Sequence, residues 1–177
     1  MVGWMTLRLA LLVAFLGPIV GGAEIAWADE AACKAVLDAV VKQAGLPVHQ
    51  KITIESAAAP GRKIDSELIR TGDTLYMQMR GQWTKRPYDP AKAAADARAA
   101  MEKAEHDCTK LRSGSVDGQA ADLYAVRSHG PDGDSKSEVW ISTNGLPLRQ
   151  HTEMTAQGHK MQHDASYDYA NVKAPIQ

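Results

Sequence analysis

The sequence lacks an excess of charge of either sign. Its 20 Lys and Arg residues are balanced by 21 Asp and Glu residues, which leaves a formal net charge of -1 and a pI near 6.6. Proteins that bind nucleic acid or an anionic membrane surface normally present a basic patch to the phosphate groups. The composition therefore gives no electrostatic reason to expect either partner.

The sequence also lacks the motifs of common catalytic sites. The segment Gly114-Ser115-Val116-Asp117-Gly118 does not have the Gly-x-Ser-x-Gly spacing of a nucleophile elbow and is typical of a hairpin turn. No glycine-rich phosphate loop is present. The acidic residues are scattered over predicted solvent-facing positions, without an isolated pair suited to acid–base catalysis. We therefore expect a protein that is not an enzyme and that uses no cofactor.

The six histidines do not have the spacing of a metal site. His159 and His163 lie four residues apart in a predicted strand, and the rise of a strand separates such residues by about 13 Å. One ion cannot bridge that distance. His151 and a carboxylate could join His159 only through tertiary structure, so we predict no metal site.

An apolar run lies within the first 28 residues. Arg8 precedes the apolar stretch Leu9 to Phe15, Gly17-Pro18 interrupts it, and Ala26-Trp27-Ala28 supplies an A-x-A motif just before the expected cleavage. This order is typical of a secretory signal peptide. An uncleaved membrane anchor is the alternative, but the apolar run is short for a full span. We expect cleavage after residue 28, which leaves residues 29–177 as a single exported domain without a membrane span.

The chain has only two cysteines, Cys33 and Cys108. An exported protein enters an oxidising compartment, where thiols pair. With two cysteines only one connectivity exists. We therefore predict a disulfide between Cys33 and Cys108, with two free buried thiols as the alternative.

Two segments have the features of helices. Residues 29–44 carry apolar side chains at helical spacing, and Gly45 and Pro47 follow where such a helix would end. Asp89-Pro90 supplies a capping residue and a favourable first helical residue to an alanine-rich run that extends to His106. Because Cys108 follows that run closely, a disulfide to Cys33 would place the two helices side by side.

The remaining chain alternates apolar and polar residues, as half-buried antiparallel strands do. A two-residue type I′ turn at Asn144-Gly145 would fix the register of the later strands. It places Val139 opposite Gln150, Trp140 opposite Arg149, and Ile141 opposite Leu148. A five-residue loop from Gly130 to Asp134 and a turn at Gly158-His159 add further pairs, among them Leu123 with Ile141 and Met154 with His163. The predicted fold is α+β, a single curved antiparallel sheet of about eight strands whose concave apolar face is covered by two helices.

This phasing separates an apolar, ligand-binding face from an outer face. The apolar face is predicted to contain Ile52, Ile54, Leu68, Leu75, Met77, Met79, Ile141, Leu148, Met154, Met161, Tyr167 and Tyr169. The outer face is predicted to carry a row formed by Tyr124, Trp140, Arg149 and Asp168, in which Arg149 could stack on Trp140 and pair with Asp168. This row is either an ordinary solvated sheet surface or a patch that binds a partner.

Two stretches resemble the C-terminal half of proteins of the LolA-like superfamily. They are Val139 to Ser142 with the following Gly145 to Arg149, and the closing segment Tyr167 to Pro175. This superfamily contains periplasmic lipoprotein carriers and lipid-binding half-barrel proteins, and the chain is most similar to its small exported members. The resemblance implies an incomplete antiparallel barrel whose helices close a hydrophobic cavity.

The resemblance and the apolar face together lead to one functional expectation. We expect a periplasmic protein that holds a lipid, an acyl chain or a lipidated partner under the helices. The alternative is an envelope protein-interaction or structural module with a solid core, which binds its partner through the outer face. The sequence leaves the ligand and the oligomeric state open.

Overall fold

In the computed structural model, the structure describes residues 29–130, 133–156 and 159–175, and the predicted signal peptide lies outside them. Within these residues, two helices accompany nine strands that form one antiparallel sheet in the order β4-β3-β2-β1-β9-β8-β7-β6-β5. The predicted α+β fold with an open sheet is confirmed, with nine strands in place of about eight. The elements are α1 (Glu30–Ala44), β1 (Val48–Ser56), β2 (Lys63–Thr71), β3 (Thr74–Met79), β4 (Gln82–Pro87), α2 (Pro90–Lys103), β5 (Glu105–Val116), β6 (Gln119–Gly130), β7 (Gly133–Ser142), β8 (Pro147–Ala156) and β9 (His159–Asp168).

Helix α1 is attached to β5 near its first turn. Asp29 caps the helix, because its carboxylate accepts a hydrogen bond of 3.0 Å from the backbone N–H of Ala31. One turn later, Cys33 forms the predicted disulfide with Cys108, which is confirmed. Cys108 lies inside β5 and is fully buried. The disulfide therefore joins α1 to the sheet. The sequence had suggested instead that it would join α1 to the end of the second helix.

The other end of α1 is held by Arg70 of β2. Its guanidinium donates to the backbone carbonyls of Gln43 and, at 3.0 Å, of Leu46. It also donates to the Tyr88 hydroxyl and lies 4.8 Å from the centre of that ring, while the hydroxyl donates to the carbonyl of Ala44. Carbonyls at a helix C-terminus have no partner within the helix. Arg70 and Tyr88 supply those partners and fix where α1 crosses the sheet.

Helix α2 begins just after this contact and lies against α1, as predicted. Asp89 caps it by accepting hydrogen bonds from the N–H groups of Ala91 and Lys92. The helix ends at Lys103, three residues before the predicted His106, because the chain is already extended at Ala104 and enters β5. None of its residues is buried. Helix α2 is therefore held by its ends and by α1 more than by the sheet.

The hairpin between β7 and β8 differs from the predicted two-residue turn. Gly145 N–H donates to the Ser142 carbonyl, and Gly145 alone of the turn residues has a positive φ, of 69°. This is a three-residue loop in which glycine adopts the left-handed conformation. The additional residue is offset by a bulge at Leu148, so Ile141 pairs with Pro147 and the predicted Ile141–Leu148 pair is wrong. The predicted pairs Val139–Gln150 and Trp140–Arg149 are confirmed.

Two neighbouring registers also differ from the prediction. Gly130 pairs with Gly133, which leaves two residues between β6 and β7 where the sequence suggested a five-residue loop. Leu123 consequently pairs with Trp140, and the predicted pair with Ile141 is wrong. Between β8 and β9, Met154 pairs with Met161 and not with His163. The register of β6 on β7 is shifted by one residue from the prediction, which exchanges the two faces of β6. The register of β9 on β8 is shifted by two residues, so the side chains of β9 stay on their predicted faces.

Candidate functional site

The two faces of the sheet can be followed along single rows of paired residues. One row runs across six strands in the order β6, β7, β8, β9, β1 and β2, and its residues lie on the face that carries the helices, called here the helix face. The row consists of Val126, Ser137, Thr152, His163, Ile54 and Ile64. Residues that alternate with these lie on the outer face.

Helix α1 covers only one half of the helix face. Its residue Ala39 forms a buried cluster with Val139 and Ile141, against which Tyr124 and Val126 pack. The helix packs mainly on strands β5 to β8. A cavity of only about 100 Å³ lies beneath it, at residues that include Ser137, Gln150 and Tyr167. This half of the sheet forms a closed core.

The other half of the helix face is an apolar surface open to solvent. On this half, Met79 is 57% exposed and Ile64 is 40% exposed. We call this surface the open groove. Its floor is formed by Ile52, Ile54, Ile64, Leu68, Met77, Met79, Met154 and Met161, which share the helix face of β1, β2, β3, β8 and β9.

Helix α2 does not fill the space above this floor. A cavity of about 740 Å³ separates the C-terminal half of α2 from the ends of β5 to β8, and it is lined by Ala99, Ala100, Lys103 and, from the floor, Met154. Alanine side chains do not reach the sheet across such a gap. The space under α2 is large enough for part of a lipid chain, because ligand pockets in proteins occupy about 300–1,000 Å³.

A chain of uncharged hydrogen-bonding groups crosses the floor beside the covered half. The Tyr167 hydroxyl donates to the Gln150 side-chain oxygen at 2.9 Å, and the Gln150 amide donates to the Thr152 hydroxyl at 3.0 Å. The Thr152 hydroxyl also lies 2.9 Å from that of Ser137. Burial raises the pKa of Tyr167 to about 12, so its hydroxyl remains a donor at neutral pH. The alternation of the strands did not distinguish these polar positions from the apolar floor.

The residues predicted for the apolar face do not all lie in one place. Seven of them are brought together in the open groove, namely Ile52, Ile54, Leu68, Met77, Met79, Met154 and Met161. Ile141 and Tyr167 lie beneath α1, and Leu75 pairs with Arg70 near the α1 C-terminus. Tyr169 follows β9 and donates to the Pro147 carbonyl at 2.8 Å, and burial raises its pKa.

Leu148 is the exception among these residues. The bulge turns it away from Ile141, and it packs with Val116 and Ala121 in a cluster that Trp140 also contacts. Conversely, Val40, Ile64 and His163 line the helix face but were not predicted as site residues. Val40 and Ile64 had the correct spacing in the sequence, and their exposure is the property that only the position of α1 reveals.

The predicted row on the outer face does not form as a unit. Arg149 pairs with Asp117 at 2.8 Å, and Arg112 takes the place above the Trp140 ring, 4.8 Å from its centre. Asp168 instead accepts a hydrogen bond from the N–H of Ala170. Tyr124 lies on the helix face, because the register of β6 is shifted by one residue. Arg149 thus remains the cross-strand neighbour of Trp140, but Arg112 stacks on that ring and Asp117, not Asp168, is the ionic partner of Arg149.

A second concavity, called here the outer groove, lies on the outer face. Its volume is about 630 Å³, and it is lined by Lys51, Thr53, Asp65, Glu67, Glu138, Trp140, Arg149, His151, Asp164 and Ser166, among others. The lining is mixed in charge, and its ionic groups pair across the strands. His49 lies 2.6 Å from Glu67, and His151 lies 2.7 Å from Asp164.

The pair of His151 and Asp164 gives a prediction for pH dependence. Hydrogen bonding to the Asp164 carboxylate raises the pKa of His151 above its ordinary value near 6.5. A raised pKa in the folded state adds stability that is complete below the ordinary pKa and is lost as pH rises through the folded-state pKa. Asp164→Asn is expected to return the His151 pKa toward its ordinary value and to remove that contribution.

An NMR titration of the His151 imidazole in both proteins measures this change. Asp65→Asn is the matched control, since Asp65 lies on the same face but hydrogen-bonds Thr53. An unchanged His151 titration in Asp164→Asn would contradict the assignment.

Neither a membrane-spanning helix nor a metal-binding cluster is present in residues 29–130, 133–156 and 159–175. No helix in these ranges is both long enough and apolar enough to cross a membrane. The same ranges contain no group of three or more His, Cys, Asp or Glu side chains positioned to hold a metal ion.

No model of a known protein family matches the sequence, and no curated protein matches it. Among solved structures, the chain is similar to LprF from Mycobacterium bovis, with 15% identity, coverage of 84% of this chain and 96% of that chain, and a TM-score of 0.44. It is also similar to the MucA/MucB complex structure from Pseudomonas aeruginosa, with 14% identity, coverage of 80% and 59%, and a TM-score of 0.46. A LolA superfamily protein from Nitrosomonas europaea matches with 13% identity, coverage of 80% and 95%, and a TM-score of 0.25. The similarity to a LolA superfamily protein agrees with the resemblance seen in the sequence, and at this identity it concerns the fold alone.

Proposed function

We propose that the protein is a non-enzymatic periplasmic binding protein that holds a lipid, an acyl chain or a lipidated partner in the open groove. The observation that supports this proposal is the exposure of large apolar side chains on the helix face, above all Met79 at 57% and Ile64 at 40%. A contiguous apolar surface on a concave face is typical of a binding site, whereas single exposed apolar residues are not. Export through a signal peptide would bring the protein to acylated ligands.

The chemistry of the groove suits flexible alkyl chains. Four of its floor residues are methionines, and Met154 and Met161 form a directly opposed pair. Methionine is unbranched and polarisable, so it adapts to ligands of irregular shape. Each methylene that leaves water contributes about 0.8 kcal/mol. About ten buried methylenes would therefore supply the roughly 8 kcal/mol of micromolar binding, before the costs of association are subtracted.

A charge placed in the groove is expected to weaken ligand binding. Met161→Lys puts an ammonium group on the apolar floor, where an alkyl chain would have to displace its hydration water. We expect affinity for an uncharged acyl ligand, measured by displacement of Nile red, to fall at least about tenfold. Gln162→Lys is the matched control, because Gln162 is the next residue of β9 and points to the outer face between Glu55 and Glu153.

Equal affinities of the Met161 and Gln162 variants would contradict the proposal. The assay also addresses the second candidate function, a protein-interaction or structural module, which is favoured by the outer groove of about 630 Å³. Ser166→Arg would fill that groove without touching the open one. We expect Ser166→Arg to bind the acyl ligand as the unmodified protein does.

A further inference from the structure

The floor of the open groove contains a polar strip in an otherwise apolar surface. Ser137, Thr152 and His163 are consecutive members of one cross-strand row, and Val126 and Ile54 flank them. The hydroxyl groups of Ser137 and Thr152 bond each other, and Gln150 adds a further donor to Thr152. The strip thus leads from the closed core beneath α1 into the open groove and ends at His163.

His163 differs from the other members because its imidazole has no partner among the residues that the structure describes. The side chain is half-buried, and its neighbours across the strands are Thr152 and Ile54. By contrast, His49 and His151 bond acidic residues of the outer face. A neutral imidazole carries one N–H donor and one acceptor nitrogen. Both remain available to a group that enters the groove.

The surroundings of His163 are uncharged on the helix face. Its neighbours there on β1, β8 and β9 are Ile52, Ile54, Thr152, Met161 and Ala165, while Asp164 and His151 point to the outer face. Burial lowers the pKa of His163, with the charge on His151 adding to this effect and Asp164 opposing it. On the helix face, the guanidinium of Arg70 is occupied by the carbonyls of α1, and Lys103 of α2 lines the cavity that reaches Met154. The strand residues around His163 themselves offer hydrogen bonds but no positive charge.

We propose that His163, at the end of this strip, binds the ester carbonyl of an uncharged acyl ester, and that the open groove consequently prefers such esters to ionised fatty acids. This inference rests on the proposed function. An ester oxygen accepts a hydrogen bond from the imidazole at little cost of desolvation. A carboxylate would lose its hydration without gaining an opposite charge, which is strongly unfavourable.

Two ligands with the same acyl chain test this preference. Glycerol monolaurate is uncharged, and laurate is ionised at about pH 8, where the imidazole is neutral. In displacement of Nile red from the full mature protein, we expect glycerol monolaurate to bind at least about tenfold more tightly than laurate. Equal or tighter binding of laurate overturns the inference but leaves the proposed function standing. If neither ligand binds, both are overturned.

A substitution then tests the role of His163 itself. His163→Leu keeps an apolar side chain in the row but removes the hydrogen bond, and it is expected to weaken glycerol monolaurate binding about fivefold and laurate binding little. His163→Gln retains a donor and should recover most of the affinity. His129→Leu is the control, because that imidazole is exposed at the end of β6 and bonds Asp134. Unchanged affinity for glycerol monolaurate in a folded His163→Leu protein overturns the assignment.

Discussion

Replacement of both Cys33 and Cys108 by serine is expected to lower the free energy of unfolding by about 4 kcal/mol. The disulfide joins residues separated by 75 positions, so its loss frees a long loop in the unfolded chain. The double substitution also places a serine hydroxyl at the fully buried position of Cys108, in β5 under α1. Urea unfolding followed by circular dichroism measures the change.

The unmodified protein in the presence of a thiol reductant is the matched control, since it retains both sulfur atoms. Its loss of stability should be similar to that of the double variant and somewhat smaller, because no hydroxyl is introduced. If reduction leaves the urea midpoint unchanged, the disulfide does not stabilise the attachment of α1 to the sheet.

Arg70→Met is expected to destabilise the protein by about 3 kcal/mol. The guanidinium bonds the carbonyls of Gln43 and Leu46 and the Tyr88 hydroxyl, and the residue is only 8% exposed. Methionine fills most of the same volume but leaves these acceptors without the charged donor. Removal of one partner from a buried hydrogen bond costs more than the bond itself contributes.

Arg86→Met is the control for this experiment. Arg86 belongs to β4, is exposed, and is separated from Arg70 by Leu75 in the same cross-strand row. We expect its substitution to change stability little, since exposed arginines rarely contribute to it. Equal unfolding midpoints for the two variants would show that Arg70 does not hold the end of α1.

The helices and the alternation of the strands could be predicted from the sequence because both depend on local features. Asp29 and Asp89 are capping residues in the structure, as their positions before the helical patterns indicate. Strand faces depend on alternation, so Met77, Met154 and Met161 were placed correctly even where the partner was not. An error of two residues in register does not change the face.

Registers that depend on loop length were less predictable. Asn144-Gly145 has the composition of a type I′ turn, which needs two successive residues with positive φ. In the structure, Asp117 and Gly118 are such a pair, whereas Asn144 does not have a positive φ. The bulge at Leu148 has no sequence signal of its own, and it moved this residue out of the groove. Tyr124 lies on the helix face because Gly130 pairs with Gly133. This pairing makes the connection between β6 and β7 shorter than predicted and shifts the register of β6 by one residue.

The open groove itself could not be predicted, because it depends on where α1 crosses the sheet. That position is fixed by contacts between residues far apart in the sequence, the disulfide of Cys33 with Cys108 and the hydrogen bonds of Arg70. Alternation identifies an apolar face but does not indicate which part of it a helix covers. His163 illustrates the same point, since its lack of a partner is a tertiary property.

Occupancy of the open groove is the central claim, and native mass spectrometry tests it most directly. The mature protein purified from the periplasm, and the same protein incubated with glycerol monolaurate, would be sprayed from a volatile buffer and compared with Met161→Lys. We predict a mass increase that corresponds to a bound lipid in the unmodified protein and its loss in the variant. Detection of the ligand-free mass alone, in the purified protein and after incubation with the lipid, would contradict the proposal.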